Sequence, residues 1–163
     1  MPSPHKARIV SFVALLLAFT LPLQLARADA EPVPSADFTP EQVIDIVIES
    51  LRDNDQSDND DGIATVFRFA SPANRAQTGP IERFARMIKV GFNDMLEHVS
   101  SRSDPIEIEG DTALQAVWLM SSSGTEVGYA FQLGRQRGGE FDGMWMTEAV
   151  IPLGEGEQSG TRI

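Results

Sequence analysis

GIATVFRFASPANRAQTGPIERFARMIKVGFNDML, residues 62–96, decides how the rest of the chain is read. Ile63, Val66, Phe67 and Ala70 recur at helical spacing, and Ser71-Pro72 stops the run, because proline pushes its predecessor out of the helical region. Thr78-Gly79-Pro80 opens a second run. Its apolar ladder of Ile81, Phe84, Ala85, Ile88, Phe92, Met95 and Leu96 has a period of 3.6 residues. On the other face Glu82 and Arg86 form an i,i+4 pair worth ~0.2–0.5 kcal/mol. Two apolar helix faces in succession must be covered by something.

Upstream lies a third helix of the same kind. Thr39 is placed to cap it, Pro40 sits at its first position, and Gln42 completes a T-x-x-Q capping box. Phe38 can staple against Val43, and Val43, Ile44, Val47, Ile48 and Leu51 form the stripe. Between these helices NDQSDNDD, residues 54–61, invites a calcium reading. An EF-hand loop with Gly62 at its sixth position would end on Arg68, where a bidentate glutamate is needed, so that loop type is excluded. Asp60 and Asp61 instead suit a helix N-terminus, where negative charge is favoured. No metal site is expected.

Downstream of His98 the period changes to two. Ile106 and Ile108 begin a strand that turns at Gly110-Asp111. Leu114 to Met120 continues it, with Leu114, Ala116, Trp118 and Met120 alternating against Gln115, Val117 and Leu119. SSSGT, residues 121–125, is a turn. Val127, Tyr129, Phe131 and Leu133 then share a face, and Met144 to Ile151 closes the sheet before Pro152. Three helices followed by an antiparallel meander predict an α+β fold, with the helices packed on one face of the sheet.

The N-terminus reads as a targeting segment. His5, Lys6 and Arg8 precede an apolar run from Ile9 to Leu25, and Ala26-Arg27-Ala28 and Ala28-Asp29-Ala30 are overlapping small-x-small sites. Cleavage is expected after Ala28 or Ala30. Pro22 and Gln24 cut the clean run below the ~20 residues of a membrane span, so none is expected after processing. The expected organisation is a signal peptide over 1–30, a linker over 31–37, one domain over 38–153 and a disordered tail over 154–163. The protein is then exported, to the periplasm or beyond. Removing Lys6, Arg8, Arg27 and Asp29 takes the net charge from −11 to −13. Such a surface repels phosphate backbones, which argues against nucleic acid as a partner. The chain has no cysteine, which excludes disulfides, thiolate catalysis and cysteine metal sites.

Four phrases carry a resemblance: FRFASPANR (67–75), TGPIERFARM (78–87), YAFQLGRQ (129–136) and MWMTEAVIPL (144–153). Together they resemble the family catalogued as domain of unknown function 4864, over roughly Phe38 to Leu153. The resemblance implies a cystatin-like, nuclear-transport-factor-like cone, in which a curved sheet closes on a helix. It supplies no activity, cofactor or catalytic residue. Where that family often has a cysteine this chain has Met144, so no thiol role carries over.

Candidate site residues follow from charge and chemistry. Removal of Lys6, Arg8 and Arg27 leaves ten cations, and five of them, Arg68, Arg75, Arg83, Arg86 and Lys89, fall within 22 residues that hold one acid, Glu82. They either pair with the acidic surface or hold a ligand anion through arginine's planar fork, with Arg68 and Arg75 the best placed. Trp118, Tyr129 and Trp145 are core residues or, failing that, ligand-binding aromatics. Glu148 shares a strand face with Met144, Met146 and Val150; on an inner face it needs a partner or a proton, on an outer one it is solvated. Asp94 lies four residues before His98, so the two can meet at a helix end, as a proton-abstracting pair would. A surface histidine near a helix C-terminus is the plainer reading. Two function classes stay open. One is a non-enzymatic exported binding or accessory domain for a small apolar or anionic ligand or a protein partner. The other is a cofactor-free lyase or isomerase similar to SnoaL-like enzymes, with Glu148, His98 and Asp94 as its weak catalytic candidates.

Overall fold

Thr39 opens the first helix, α1 (Pro40–Arg52), by accepting the Gln42 amide at 3.3 Å, while the Gln42 side chain accepts the Thr39 amide at 2.9 Å. The expected capping box is therefore present, and Val43, Ile44, Val47, Ile48 and Leu51 are all buried. The computed structural model describes residues 31–54, 59–96 and 98–155. The expected signal segment with Ala28 and Ala30, part of the acidic loop and the end of the tail lie outside the described residues.

Helix α2 (Asp61–Phe69) turns back against α1 at very short range. A Cβ at Gly62 would lie 2.0 Å from the Ser50 carbonyl oxygen, so this position admits glycine alone. Buried Asn54 closes the corner by accepting the Ile63 amide at 2.9 Å. Asp60 holds a left-handed conformation (φ 58°) and pairs with Lys89 at 2.7 Å, which ties the corner to a later helix. The Lys89 bond also holds the Asp60 carboxyl below its usual range.

The stop read at Ser71-Pro72 is also a start. Ser71 accepts the Asn74 amide at 3.1 Å and Pro72 takes the first position of α3 (Pro72–Thr78), a helix between the two runs that the sequence reading did not mark. Helix α4 (Ile81–Gly91) follows, burying Phe84 and Ile88. Its ladder was expected to run on to Leu96. Instead the chain leaves the helix after Gly91 and tightens into a 3-10 turn over Asn93–Met95. Glycine and asparagine are poor helix residues, and the tighter turn still drops Met95 into the core.

Five strands form one antiparallel sheet: β1 (Ser100–Ser103), β2 (Glu107–Glu109), β3 (Thr112–Met120), β4 (Glu126–Arg135) and β5 (Trp145–Glu155). The order is β1-β3-β4-β5, and β2 also pairs with β3, at the end of β3 that β1 leaves free. The fold is α+β. Ala113, Val117 and Leu119 of β3, with Tyr129, Phe131 and Leu133 of β4, point inward and pack with α1, α2 and α4 into one core. Leu114, Ala116, Trp118 and Met120 therefore occupy the opposite face.

Strand β5 departs from simple alternation. Leu133 faces Thr147 but Gln132 faces Ala149, so Glu148 is an extra residue in a β-bulge. A second irregularity puts Pro152 opposite Tyr129 and Gly154 opposite Gly128. The strand thus runs through Pro152 to Glu155, beyond the Ile151 end and into the tail that the sequence suggested. Proline is tolerated because β5 is an edge strand, with an isolated bridge from Ala70 to Thr147 on its far side. None of the described helices is long and apolar enough to cross a membrane.

Candidate functional site

Between the four helices and β5 lies a cavity of about 240 Å³. Val47 and Leu51 of α1, Val66 of α2, and Phe84 and Ile88 of α4 make its apolar wall. Asn74, Gln77 and Thr78 of α3, with Thr147 and Glu148 of β5, make a polar corner. The corner exists because the chain after α2 runs beside β5: the Ser71 amide donates to the Thr147 carbonyl at 2.9 Å.

Glu148 is the hub of that corner. One carboxylate oxygen accepts the Ser71 hydroxyl at 2.7 Å and the other accepts the Gln136 side-chain amide at 2.9 Å. Its backbone carbonyl accepts the Asn74 side-chain amide, also at 2.9 Å. The carboxylate lies across Gly134, where a Cβ would stand 2.7 Å from it. Asn74 is braced in turn by the Thr78 hydroxyl, which donates to its side-chain and backbone oxygens at 3.1 and 2.9 Å. Both faces considered for Glu148 are superseded by the bulge, which leaves it half-buried with uncharged donors on both oxygens. This is a crosslink between α3, β4 and β5.

Thr147 is different. Only 4% of it is exposed, and its hydroxyl is the one buried side-chain polar atom among the described residues that makes no hydrogen bond. A buried hydroxyl without a partner costs ~1–3 kcal/mol; this one has almost no accessible surface, so Thr147 meets the cavity through its other atoms. Sequence reading passed over it. Its position one residue before Glu148 was visible, but the bulge that redirects the strand was not.

The other candidates are placed apart from this corner. Arg68 donates to the Glu31 carboxylate at 2.8 Å and to the Pro32 carbonyl at 2.9 Å, so it fastens the N-terminal segment to α2. Arg75 lies over the Phe141 ring, 4.9 Å from its centre. Trp118 packs on Gly128 on the outer face, donates to Asp104 at 3.0 Å and carries Arg102 over its ring. Tyr129 and Trp145 are buried in the core. Burial, helped by the charge of Asp94, pushes the Tyr129 phenol up to about 12.

His98 corrects the expectation of a surface residue. It is 2% exposed, and its ring Nδ1 is 2.9 Å from the Met95 carbonyl, to which it must donate because a carbonyl only accepts. The 3-10 turn is the cause, since it brings that carbonyl within reach of the ring. Burial lowers the imidazole pKa, Arg52 adds to this in a small way, and the Met95 bond works against it. Asp94 is exposed. Neither His98 nor Asp94 is on the cavity wall, so the wall brings Glu148 together with neither. Among the described residues no cluster of three histidine, aspartate or glutamate side chains could hold a metal ion.

Comparison with curated proteins and with solved structures finds no match. Residues 35–158, which include every helix and strand of the described residues, match the family described as Domain of unknown function (DUF4864). This chain belongs to that family.

Proposed function

We propose that the protein is an exported, non-enzymatic binding domain whose cavity takes up a small, largely apolar molecule. The observation that carries this reading is the cavity, walled by aliphatic and aromatic side chains and closed at one corner by a hydrogen-bonded polar group. Its volume of about 240 Å³ falls below the ~300–1,000 Å³ of drug-sized sites, which favours a compact ligand. Glu148 is the one charged residue on the wall among those described, and its carboxylate is engaged by Ser71 and Gln136. Arg68 and Arg75, the candidate anion ligands, are engaged elsewhere, by Glu31 and by Phe141. Of the two ligand types read from the sequence, the apolar one is therefore favoured over the anionic. An acid–base pair converging on the cavity, which a lyase or isomerase of this kind would need, finds no support in the positions of Glu148, His98 and Asp94. Export rests on the apolar run and the paired alanine sites of the N-terminus.

Thermal unfolding with a panel of neutral aromatic and aliphatic compounds beside carboxylates and phosphates tests the reading. Ligand at 100 times its Kd adds ~2.7 kcal/mol, a rise of several degrees in Tm. Neutral apolar compounds should produce it, and Val66→Phe, which fills the wall, should abolish it. A shift produced by anions alone would overturn the proposal.

A further inference from the structure

The cavity is graded from its depth to its mouth. Val47, Leu51 and Phe84 are buried, Met87 and Val150 are half-buried and Gln77 is exposed, so the cavity opens where α3 and α4 pass β5. We infer that the ligand is a compact amphiphile held apolar end first, and that the Gln77 carboxamide at the mouth recognises an uncharged amide on its outer end. The inference rests on the binding function just proposed and specifies it.

Asn74, Gln77 and Thr78 stand three and four residues apart on α3 and so share the face turned to the cavity. Two of the three are committed: Asn74 donates to the Glu148 carbonyl, and the Thr78 hydroxyl donates to Asn74. Ser71 and Gln136 hold the Glu148 carboxylate, and the Thr147 hydroxyl is closed off from the cavity. Gln77 is the polar wall residue left over. It is exposed, and its carboxamide bonds to none of the described residues. A carboxamide offers an acceptor and a donor side by side, so a ligand amide with its N–H and C=O on one edge pairs with both at once, whereas a ketone or an ether meets only the donor. An anionic head would find no counter-ion, because the one charge among the described wall residues is the Glu148 carboxylate. An uncharged amide head over a hydrocarbon body therefore matches the wall from mouth to depth.

The test compares toluene with benzamide by calorimetric titration of the purified protein and of its Gln77→Met and Gln77→Ala variants. An exposed side chain that bonds to no other residue contributes little to stability, so both variants should keep the wild-type Tm. Gln77→Met should bind benzamide more weakly than wild type does, by up to about tenfold, the worth of a neutral hydrogen bond, and should bind toluene equally well. Gln77→Ala, which also lacks the amide, should show the same selective loss. Benzamide affinity that survives in both variants, or an equal loss for both compounds, overturns this inference and leaves the apolar cavity standing. Wild type that binds toluene but not benzamide has the same meaning. Failure of both compounds to bind wild type overturns the binding function itself.

Discussion

Burying an imidazole penalises its charged form, and His98 makes that penalty measurable. Its pKa lies below the ordinary 6.5, so the unfolded chain binds a proton that the folded chain resists. Stability from this group is complete above about 6.5, falls as the pH drops through that value, and levels off below the depressed folded pKa. The charges that bear on the ring are Arg52, which lowers its pKa further, and Asp53, which raises it slightly. The urea midpoint should therefore fall between about pH 8 and about pH 5, and His98→Gln should flatten that slope. An identical slope in the variant would assign it to other groups. Asp60 does not blur the result, because its depressed carboxyl titrates at lower pH. Nothing in the sequence around His98 announced burial, since Glu97 and Val99 give it neither a helical nor an alternating pattern. Thr147 was hidden for a similar reason: whether a hydroxyl is paired depends on neighbours that are remote in sequence.

At the scale of elements the apolar ladders were the legible part. The stripe of α1, its capping box and the Phe84–Ile88 face of α4 lie where period and cap chemistry put them. Phe84 packs its ring 5.1 Å from that of Phe67 and is 4% exposed. Phe84→Ala should cost ~3–5 kcal/mol in chemical denaturation, against ~5–15 for a whole domain. A loss below about 1 kcal/mol would show that the ladder is not core. Short polar elements were not legible. The α3 heptapeptide PANRAQT buries no residue, and β1 is the exposed SSRS, so neither carries an apolar period to read. Ser71-Pro72 was ambiguous in a physical sense, because a proline that ends one helix is equally suited to the first position of the next. The bulge at Glu148 escaped because alternation carries no mark where a residue is inserted. That one residue decided the site: it set Glu148 on Ser71 and Gln136 and left Thr147 on the cavity wall.

For the molecule as a whole, the order of helices before sheet and the burial of one sheet face follow from the switch of period near His98. The use of the cations does not follow from any pattern. Arg68, Arg75 and Lys89 were gathered in sequence but are dispersed in space onto Glu31, Phe141 and Asp60. Charge placement along a chain says little about charge placement on a surface when three helices intervene. Another whole-molecule property hangs on Pro152. It stands on the sheet's last strand between Ile151 and Leu153, two exposed aliphatic residues. An open strand with such neighbours is a template for a second chain, and a residue without an N–H interrupts the ladder that such a chain would build. Pro152→Val would restore the donor and create a continuous apolar run, AVIVL, with three β-branched residues at its centre, at an unguarded margin. Its unfolding midpoint should stay near that of wild type, while light scattering at high concentration should grow faster. Equal scattering would mean that the second irregularity of β5, or the acidic surface, is guard enough. On this view Pro152 protects the protein's colloidal stability, keeping concentrated copies from joining sheet to sheet.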